Sequence, residues 1–279
     1  MAKVLIVGCG DLGCAIAVSC QASGHTVIGL RKSSQKLPLG MHTIQADVTQ
    51  PNLLAALEKL NPDIIIYCVA ASARTDENYQ AHYVTGLKNV LATQSQNTSL
   101  QHVFFVSSTR VYGQKTDAIL DENIAAMPTD FGGIRLLEAE NLLKNQACKT
   151  TSIRLSGIYG KGRLYLVNMA KDLTKWPIEN HWSNRIHRDD AASFIAFLVH
   201  KTAKNQQVED CYIVTDNMPT QQYEVLTWLA KQQDIDISDT KTPTAWGGKR
   251  LSNKRLSDTG FQLQYPNYKA GYSAILQNL

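Results

Sequence analysis

Gly8-Cys9-Gly10-Asp11-Leu12-Gly13 spaces its glycines as G-x-G-x-x-G. An apolar run, Lys3-Val4-Leu5-Ile6-Val7, precedes it, and a segment of small and apolar residues from Cys14 to Ala22 follows. The run reads as a short buried strand and the segment as a helix, which places the glycines at a strand-to-helix turn. In that context the spacing is a dinucleotide-binding fingerprint. Gly8 allows the tight turn out of the strand. Gly10 has no side chain to hold a pyrophosphate off the backbone, and Gly13 lets the helix pack close to the strand. The helix start at Asp11 and Leu12 offers unpaired N–H groups and a positive dipole end to phosphates.

Which dinucleotide fits is decided at the end of the second strand. A carboxylate there bonds a ribose 2′-hydroxyl, whereas positive charge there suits a 2′-phosphate. Leu30 is followed by Arg31, Lys32, Ser33 and Ser34, with no carboxylate in the stretch. Arg31 can pair with a phosphate in bidentate fashion, so NADP(H) is expected over NAD(H). Asp47 and Val48 follow the third strand and are placed either to meet the adenine edge or to cap a helix.

Apolar runs alternate with helical patterns along the chain, the signature of βαβ units and a parallel sheet. Strands are expected over 25–30, 43–46, 63–69, 102–106, 151–155 and 211–215. Helices are expected over 52–60, 79–96, 135–145, 191–200 and 221–232, and Pro243 to Gly248 reads as a loop. The expected fold is α/β: a Rossmann-type doubly wound parallel sheet over residues 1–155. A small C-terminal substrate lobe over 156–279 also returns elements to the sheet.

Bulk properties narrow the function classes. The chain has 279 residues, 44% of them hydrophobic, enough for a substantial core. Net charge is +4, and no basic run marks a nucleic-acid-binding tail. No apolar run reaches the roughly 18 residues that a membrane span needs. The six cysteines form no C-x-x-C and no zinc spacing, so no metal site is expected. The chain enters a strand directly after Met-Ala, without a signal-peptide pattern. A cytoplasmic protein with reduced cysteines and a small-molecule substrate is expected.

Several further segments carry a family resemblance. Ser107-Ser108-Thr109-Arg110-Val111-Tyr112-Gly113 resembles the S-S-x-x-V-Y-G segment of extended short-chain dehydrogenases/reductases, the epimerase/dehydratase group. Cys68-Val69-Ala70-Ala71 stands where that family brings its fourth strand to the cofactor. Arg154 to Arg163 resembles R-x-x-x-x-Y-G-P-G-R, and Ile186-His187-Arg188-Asp189-Asp190 resembles I-H-x-D-D. The tail from Leu256 to Leu276 resembles the family's ending. The resemblance spans nearly the whole chain. It implies cofactor contacts from Ala70 and Ala71, and a homodimer through the long helices around 79–96 and 135–145.

It also implies a catalytic set of Ser or Thr with Tyr-x-x-x-Lys, in which the phenol moves a proton and the lysine binds ribose. Ser108 matches the hydroxyl position, with Thr109 beside it. Where the tyrosine and lysine should stand, the sequence has Phe131-Gly132-Gly133-Ile134-Arg135. Phe131 has no exchangeable proton and is left facing substrate. Arg135 keeps the charge and can reach ribose hydroxyls but cannot act as a base at neutral pH. Tyr112 and Tyr159 are candidate replacement acids, with His187 and Tyr83 more remote. Arg163 and Arg185 are candidate grips for a sugar-nucleotide pyrophosphate, and Arg154 reads as structural. Asp189 and Asp190 read as helix caps, and Trp176, Trp182 and Trp246 as packing before pocket lining. The chain is thus expected to be an NADP(H)-binding oxidoreductase or epimerase with an atypical site. The alternative is an NADP(H)-binding regulator or redox sensor without turnover.

Overall fold

A computed structural model describes residues 1–35 and 37–279. The chain divides into two compact units. The first comprises Met1–Gln114, Ala125–Arg154 and Ala192–Tyr212; the second comprises Lys115–Ile124, Leu155–Ala191 and Ile213–Leu279. Residues 115–124 group with the second unit, and residues 192–212, from the part expected to return elements to the sheet, group with the first.

The elements of the sheet and its helices are, in chain order, β1 (Lys3–Val7), α1 (Asp11–Ala22), β2 (Thr26–Arg31), β3 (His42–Gln45), β4 (Ile64–Tyr67), α2 (Asp76–Tyr79), α3 (Gly86–Ala92), β5 (His102–Ser108), α4 (Phe131–Leu143), β6 (Lys149–Leu155), α5 (Arg188–Ala203) and β7 (Cys211–Val214). They form a seven-stranded sheet in the order β7-β6-β5-β4-β1-β2-β3, a parallel Rossmann-like arrangement. Val4–Val7 and Ile64–Tyr67 have no exposed surface. A strand covered on both faces needs continuous apolar residues rather than alternation, which is why these runs are legible. The order reverses between β1 and β4, and a doubly wound sheet binds ligands at that switch point, beyond the carboxyl ends of its strands. α1 buries Leu12, Ile16 and Cys20 on one stripe, with Gly13 and Ala17 beside them.

The second unit is built from short pieces. Gly157–Tyr159 pairs in parallel with Arg185–His187, and Ile119–Leu120 with Arg250–Leu251. Asn180–Ser183 lies between Thr220–Gln221 and Ala245–Gly248. Helix Gln222–Lys231 buries Tyr223, Leu226 and Leu229 into a core that includes Val167, Trp176, Tyr268 and Tyr272.

Four expectations are corrected. Residues 52–60 form no α-helix but two 3-10 turns, Pro51–Leu53 and Ala55–Leu57. Only Leu54 and Leu57 are buried there, and their spacing of three suits the 3-10 repeat. The helix read at 79–96 spans α2, a π-helical stretch Gln80–Thr85, and α3. The wider turn frees the His82 carbonyl to accept the Tyr67 hydroxyl. Gly86 fits there because a Cβ would lie 2.5 Å from that same hydroxyl. α4 begins at Phe131 rather than Arg135, capped by Asp130, whose side chain accepts from the Gly133 N–H at 2.9 Å. Ala245–Gly248 is a strand, with Gly247 and Gly248 at positive φ (71° and 76°), where a loop was expected.

Candidate functional site

The first unit holds a cavity of about 410 Å³ at the carboxyl ends of the central strands. Of the predicted cofactor residues, Gly8, Gly10, Arg31, Lys32, Asp47, Val48 and Ala70 line it. The three glycines differ as their roles require. Gly8 has φ 99°, and a Cβ there would meet the Cys68 carbonyl at 2.6 Å. A Cβ on Gly13 would meet the Gly8 carbonyl oxygen at 2.3 Å. A Cβ on Gly10 would meet nothing within 4 Å, and Gly10 lines the cavity. Gly13 and Leu12 thus shape the loop from behind rather than line the cavity, and Asp11 lies in the exposed first turn of α1. The Ala71 N–H, just past the lining residues, donates to the Tyr83 hydroxyl at 3.4 Å.

Electrostatics at the strand ends separate the predicted groups. Asp47 accepts from Lys32 at 2.8 Å and from the Thr49 N–H and hydroxyl at 3.0 and 2.8 Å. Burial disfavours its ionised form, but these bonds outweigh that and hold its carboxyl down at about 2. Lys32 therefore already has a countercharge. Arg31 gives one terminal N–H to Gln35 at 2.7 Å, while its buried Nε has no partner among the described residues. This orphan donor and the Gly10 backbone fit an anionic dinucleotide. His82 and Ser72 also line the cavity. Sequence periodicity did not indicate His82, because the π-helical stretch changes which side chains of the helix face the sheet.

The predicted catalytic residues also lie in the first unit, but not all in usable positions. Ser108 ends β5 half-buried, and its hydroxyl accepts from the Arg110 N–H at 3.2 Å; Thr109 beside it is buried. Tyr112 is corrected as a candidate acid. It has no exposed surface, and its hydroxyl accepts from Arg154 at 2.6 Å. Arg154 is bound in turn by Glu140, which also accepts from Ser107 at 2.6 Å. This buried network is structural. Arg135, the expected ribose contact, is clasped by Asp76 through Nε and Nη2 (2.7 and 2.8 Å) and by Glu138 (2.8 Å). Phe131 sits edge-on to Tyr79, with ring centroids 5.3 Å apart, and 5.4 Å from the Arg110 guanidinium.

The second unit holds its own cavity, about 600 Å³, lined by Arg163, Arg185, Tyr159 and Tyr272 among others, with no carboxylate in the lining. Arg185 is 4% exposed; one terminal nitrogen donates to the Ser183 hydroxyl at 2.6 Å, and the other has no partner among the described residues. The Tyr159 hydroxyl is likewise buried without a partner. Burial, with Asp216 nearby, pushes its phenol far above the ordinary range, which makes it a weaker proton donor than expected. Buried Asp216, half of whose carboxyl has no partner, is pushed up to about 7 by burial. His187 is packed against Tyr159 and Tyr265 and accepts from the Asp189 N–H at 3.3 Å. Asp190 is not a helix cap: its carboxylate accepts from the Gln264 and Tyr265 N–H groups at 2.8 and 2.9 Å and ties down the C-terminal segment. Trp176, Trp182 and Trp246 line neither of the two cavities.

Among the described residues, no helix is long and apolar enough to cross a membrane, and no group of three or more His, Cys, Asp or Glu side chains is placed to hold a metal ion. All six cysteines are free thiols.

The chain is similar throughout its length to known proteins. A solved structure from Methylobacillus flagellatus, assigned provisionally as an NAD-dependent epimerase/dehydratase, is 47% identical, with TM-score 0.91 over 99% of this chain and 98% of that one. The UDP-glucose 4-epimerase of Thermus thermophilus, solved with NAD, shares the fold at 18% identity and TM-score 0.76, with 96% of each chain covered. WbmG of Bordetella bronchiseptica, solved with NAD and UDP, shares it at 15% identity and TM-score 0.80, over 99% of this chain and 94% of that one. Protein YeeZ of Escherichia coli K12 is 25% identical over 96% of this chain and 97% of its own length. Residues 4–213 match the model of the NAD dependent epimerase/dehydratase family, and together with the seven-stranded sheet and its glycine turn this makes the chain a member of that family.

Proposed function

We propose that this protein binds NADP(H) in preference to NAD(H) and acts as an epimerase/dehydratase-type oxidoreductase on an anionic substrate, a nucleotide sugar or a small carbonyl compound. Its active site is atypical, with Phe131 and Arg135 in place of the family's tyrosine and lysine. The observation that carries the cofactor reading is the buried Nε of Arg31, a lining residue of the first unit's cavity, without a partner among the described residues. A buried donor without an acceptor is costly, and a 2′-phosphate supplies one. Asp47, the nearby carboxylate that would repel that phosphate, is already paired with Lys32.

A bound nicotinamide supplies hydride exchange, and the chain supplies position. Gly10 admits the pyrophosphate, and Gly8 and Gly13 set the turn that aims the first N–H groups of α1 at it. Ser108 offers a hydroxyl to the substrate oxygen. The second unit's own cavity offers a terminal nitrogen of Arg185 and the Tyr159 hydroxyl as donors to an anionic ligand. The UDP held by WbmG supports a nucleotide-sugar substrate by analogy of fold.

Fluorescence titration with NADPH and NADH tests this directly. Wild type should bind NADPH more tightly. Arg31→Asp should weaken NADPH by roughly 10–100-fold, the worth of about 1.5–3 kcal/mol for a hydrogen bond to a charged group, and leave NADH equal or better. Tighter NADH binding by wild type, or an unchanged ratio in the variant, would refute the preference. The loss of an exchangeable proton at Phe131 favours a second reading, an NADP(H)-binding regulator. Tight NADPH binding with no oxidation across aldehydes, ketones, imines and nucleotide sugars would establish it.

A further inference from the structure

Tyr79 and Arg110 form, outside α4, a phenol–cation pair at the place where Phe131 leaves the proton donor missing. The Tyr79 ring is edge-on to Phe131, with centroids 5.3 Å apart at 87°. The Arg110 guanidinium lies 5.4 Å from both rings and donates to the Tyr79 hydroxyl at 2.9 Å. Tyr79 is half-buried, and among the described residues nothing accepts its own O–H hydrogen. The Arg110 side chain is held by Asp130, which pairs with its Nε at 2.8 Å, and its backbone N–H donates to the Ser108 hydroxyl at 3.2 Å. Gly132 makes room for it, since a Cβ there would lie 2.5 Å from the guanidinium carbon. The glycine that interrupts the helical pattern after Phe131 is therefore explained by Arg110.

We propose that Tyr79 is the catalytic proton donor and acceptor of this protein, with Arg110 as its positioning residue. This rests on the reading above that the protein turns over a carbonyl substrate. In the reducing direction, the carbonyl carbon takes a hydride supplied by a reduced nicotinamide dinucleotide. The Tyr79 O–H bond breaks, and its proton forms a new O–H bond on the carbonyl oxygen. The phenolate keeps the electron pair, hydrogen-bonded to Arg110, and regains a proton from water. The oxidising direction reverses each step. The Arg110 guanidinium, one hydrogen bond from the phenol oxygen, holds that oxygen in place and stays bonded to it when the proton leaves. Arg135 is bound by Asp76 and Glu138 instead, and among the described residues it makes no hydrogen bond to Tyr79.

Two measurements decide the matter. NADPH oxidation with 4-nitrobenzaldehyde should fall by about 10²–10⁴-fold in Tyr79→Phe, the usual cost of losing a general acid. NADPH affinity should stay unchanged, which shows that the cofactor site is intact. Arg110→Lys should keep more of the rate than Arg110→Met. Wild-type turnover that survives in Tyr79→Phe overturns the proposal and leaves the functional reading standing. Independently of turnover, tetranitromethane nitrates phenolates, and peptide mass spectrometry locates the product. Tyr79 should nitrate several-fold more slowly in Arg110→Met, with exposed Tyr165 unchanged. Equal nitration of Tyr79 in both proteins overturns the proposal, whereas failure of wild type on every carbonyl probe counts against the functional reading alone.

Discussion

Arg154→Met should destabilise the protein by about 3–5 kcal/mol, the cost of leaving a buried carboxylate without its cation. The pair is nearly enclosed, with side-chain exposures of 10% for Arg154 and 5% for Glu140. Burial alone would pull the guanidinium's pKa down. The hydrogen bonds and charge of Glu140 outweigh that and hold it above the ordinary range. Arg154 reaches Glu140 through Nε and Nη2 and gives Nη1 to Tyr112, joining β6, α4 and the segment after β5. Arg154→Lys should recover little, because an ammonium cannot make the fork and the phenol contact together. Replacing both partners, Glu140→Leu with Arg154→Met, should recover a large share, because no charge is then left buried. Urea denaturation checks all three, and a loss under 1 kcal/mol in Arg154→Met would sink the account.

The second large effect is a pair of opposing pH dependences. His102 is buried, stacked on Phe104 at 4.2 Å and bonded to Thr151 at 2.9 Å, and burial lowers it from 6.5 to about 4. Below pH 6.5 the unfolded chain binds a proton that the folded chain refuses. Stability therefore falls as the pH drops from about 6.5 to 4, by about 3 kcal/mol in the limit. His25 and His187, also lowered by burial, act in the same direction. Asp216 does the reverse. Raised from 3.8 to about 7, it keeps its proton in the folded chain while the unfolded chain loses it. Stability falls as the pH rises from 3.8 to about 7, by about 4 kcal/mol in the limit. In wild type the slopes oppose each other. Asp216→Asn keeps the oxygen that accepts from the Met218 N–H and removes the titration. Its urea midpoint should exceed wild type at pH 7 and fall more steeply on acidification. His102→Phe should show the opposite tilt, a flatter acid side. A wild-type profile in Asp216→Asn would mean that the carboxyl is ionised in the folded protein.

What was legible in the sequence depended on how local its cause is. The roles of Gly8, Gly10 and Gly13 rest on backbone geometry within one strand-turn-helix unit, so their spacing announced them. The runs at 3–7 and 63–69 announced central strands because burial on both faces leaves an unbroken apolar stretch. Gly132 and Gly133 hid the first turn of α4, so the helix was expected only from 135. Their reason is the side chain and carbonyl of Arg110, distant in sequence. Tyr112 matched a family segment by position, yet its hydroxyl belongs to Arg154, 42 residues away. The π-helical stretch, which brings His82 to the cavity, left no periodic signal at all.

The sequence by itself determined the parallel sheet, the nucleotide turn and the absence of a phenol at position 131, since each follows from residue type and short spacing. The tertiary structure decided which charges remain available. Asp76 lies 59 residues from Arg135 and pairs with that cation, while Tyr79 lies 31 residues from Arg110 and receives a hydrogen bond from it. Lys32 pairs with Asp47, while the buried Nε of Arg31 has no partner among the described residues. Hydrogen bonds and ion pairs act over about 3 Å in space, and only the folded chain brings residues so far apart in sequence to that distance.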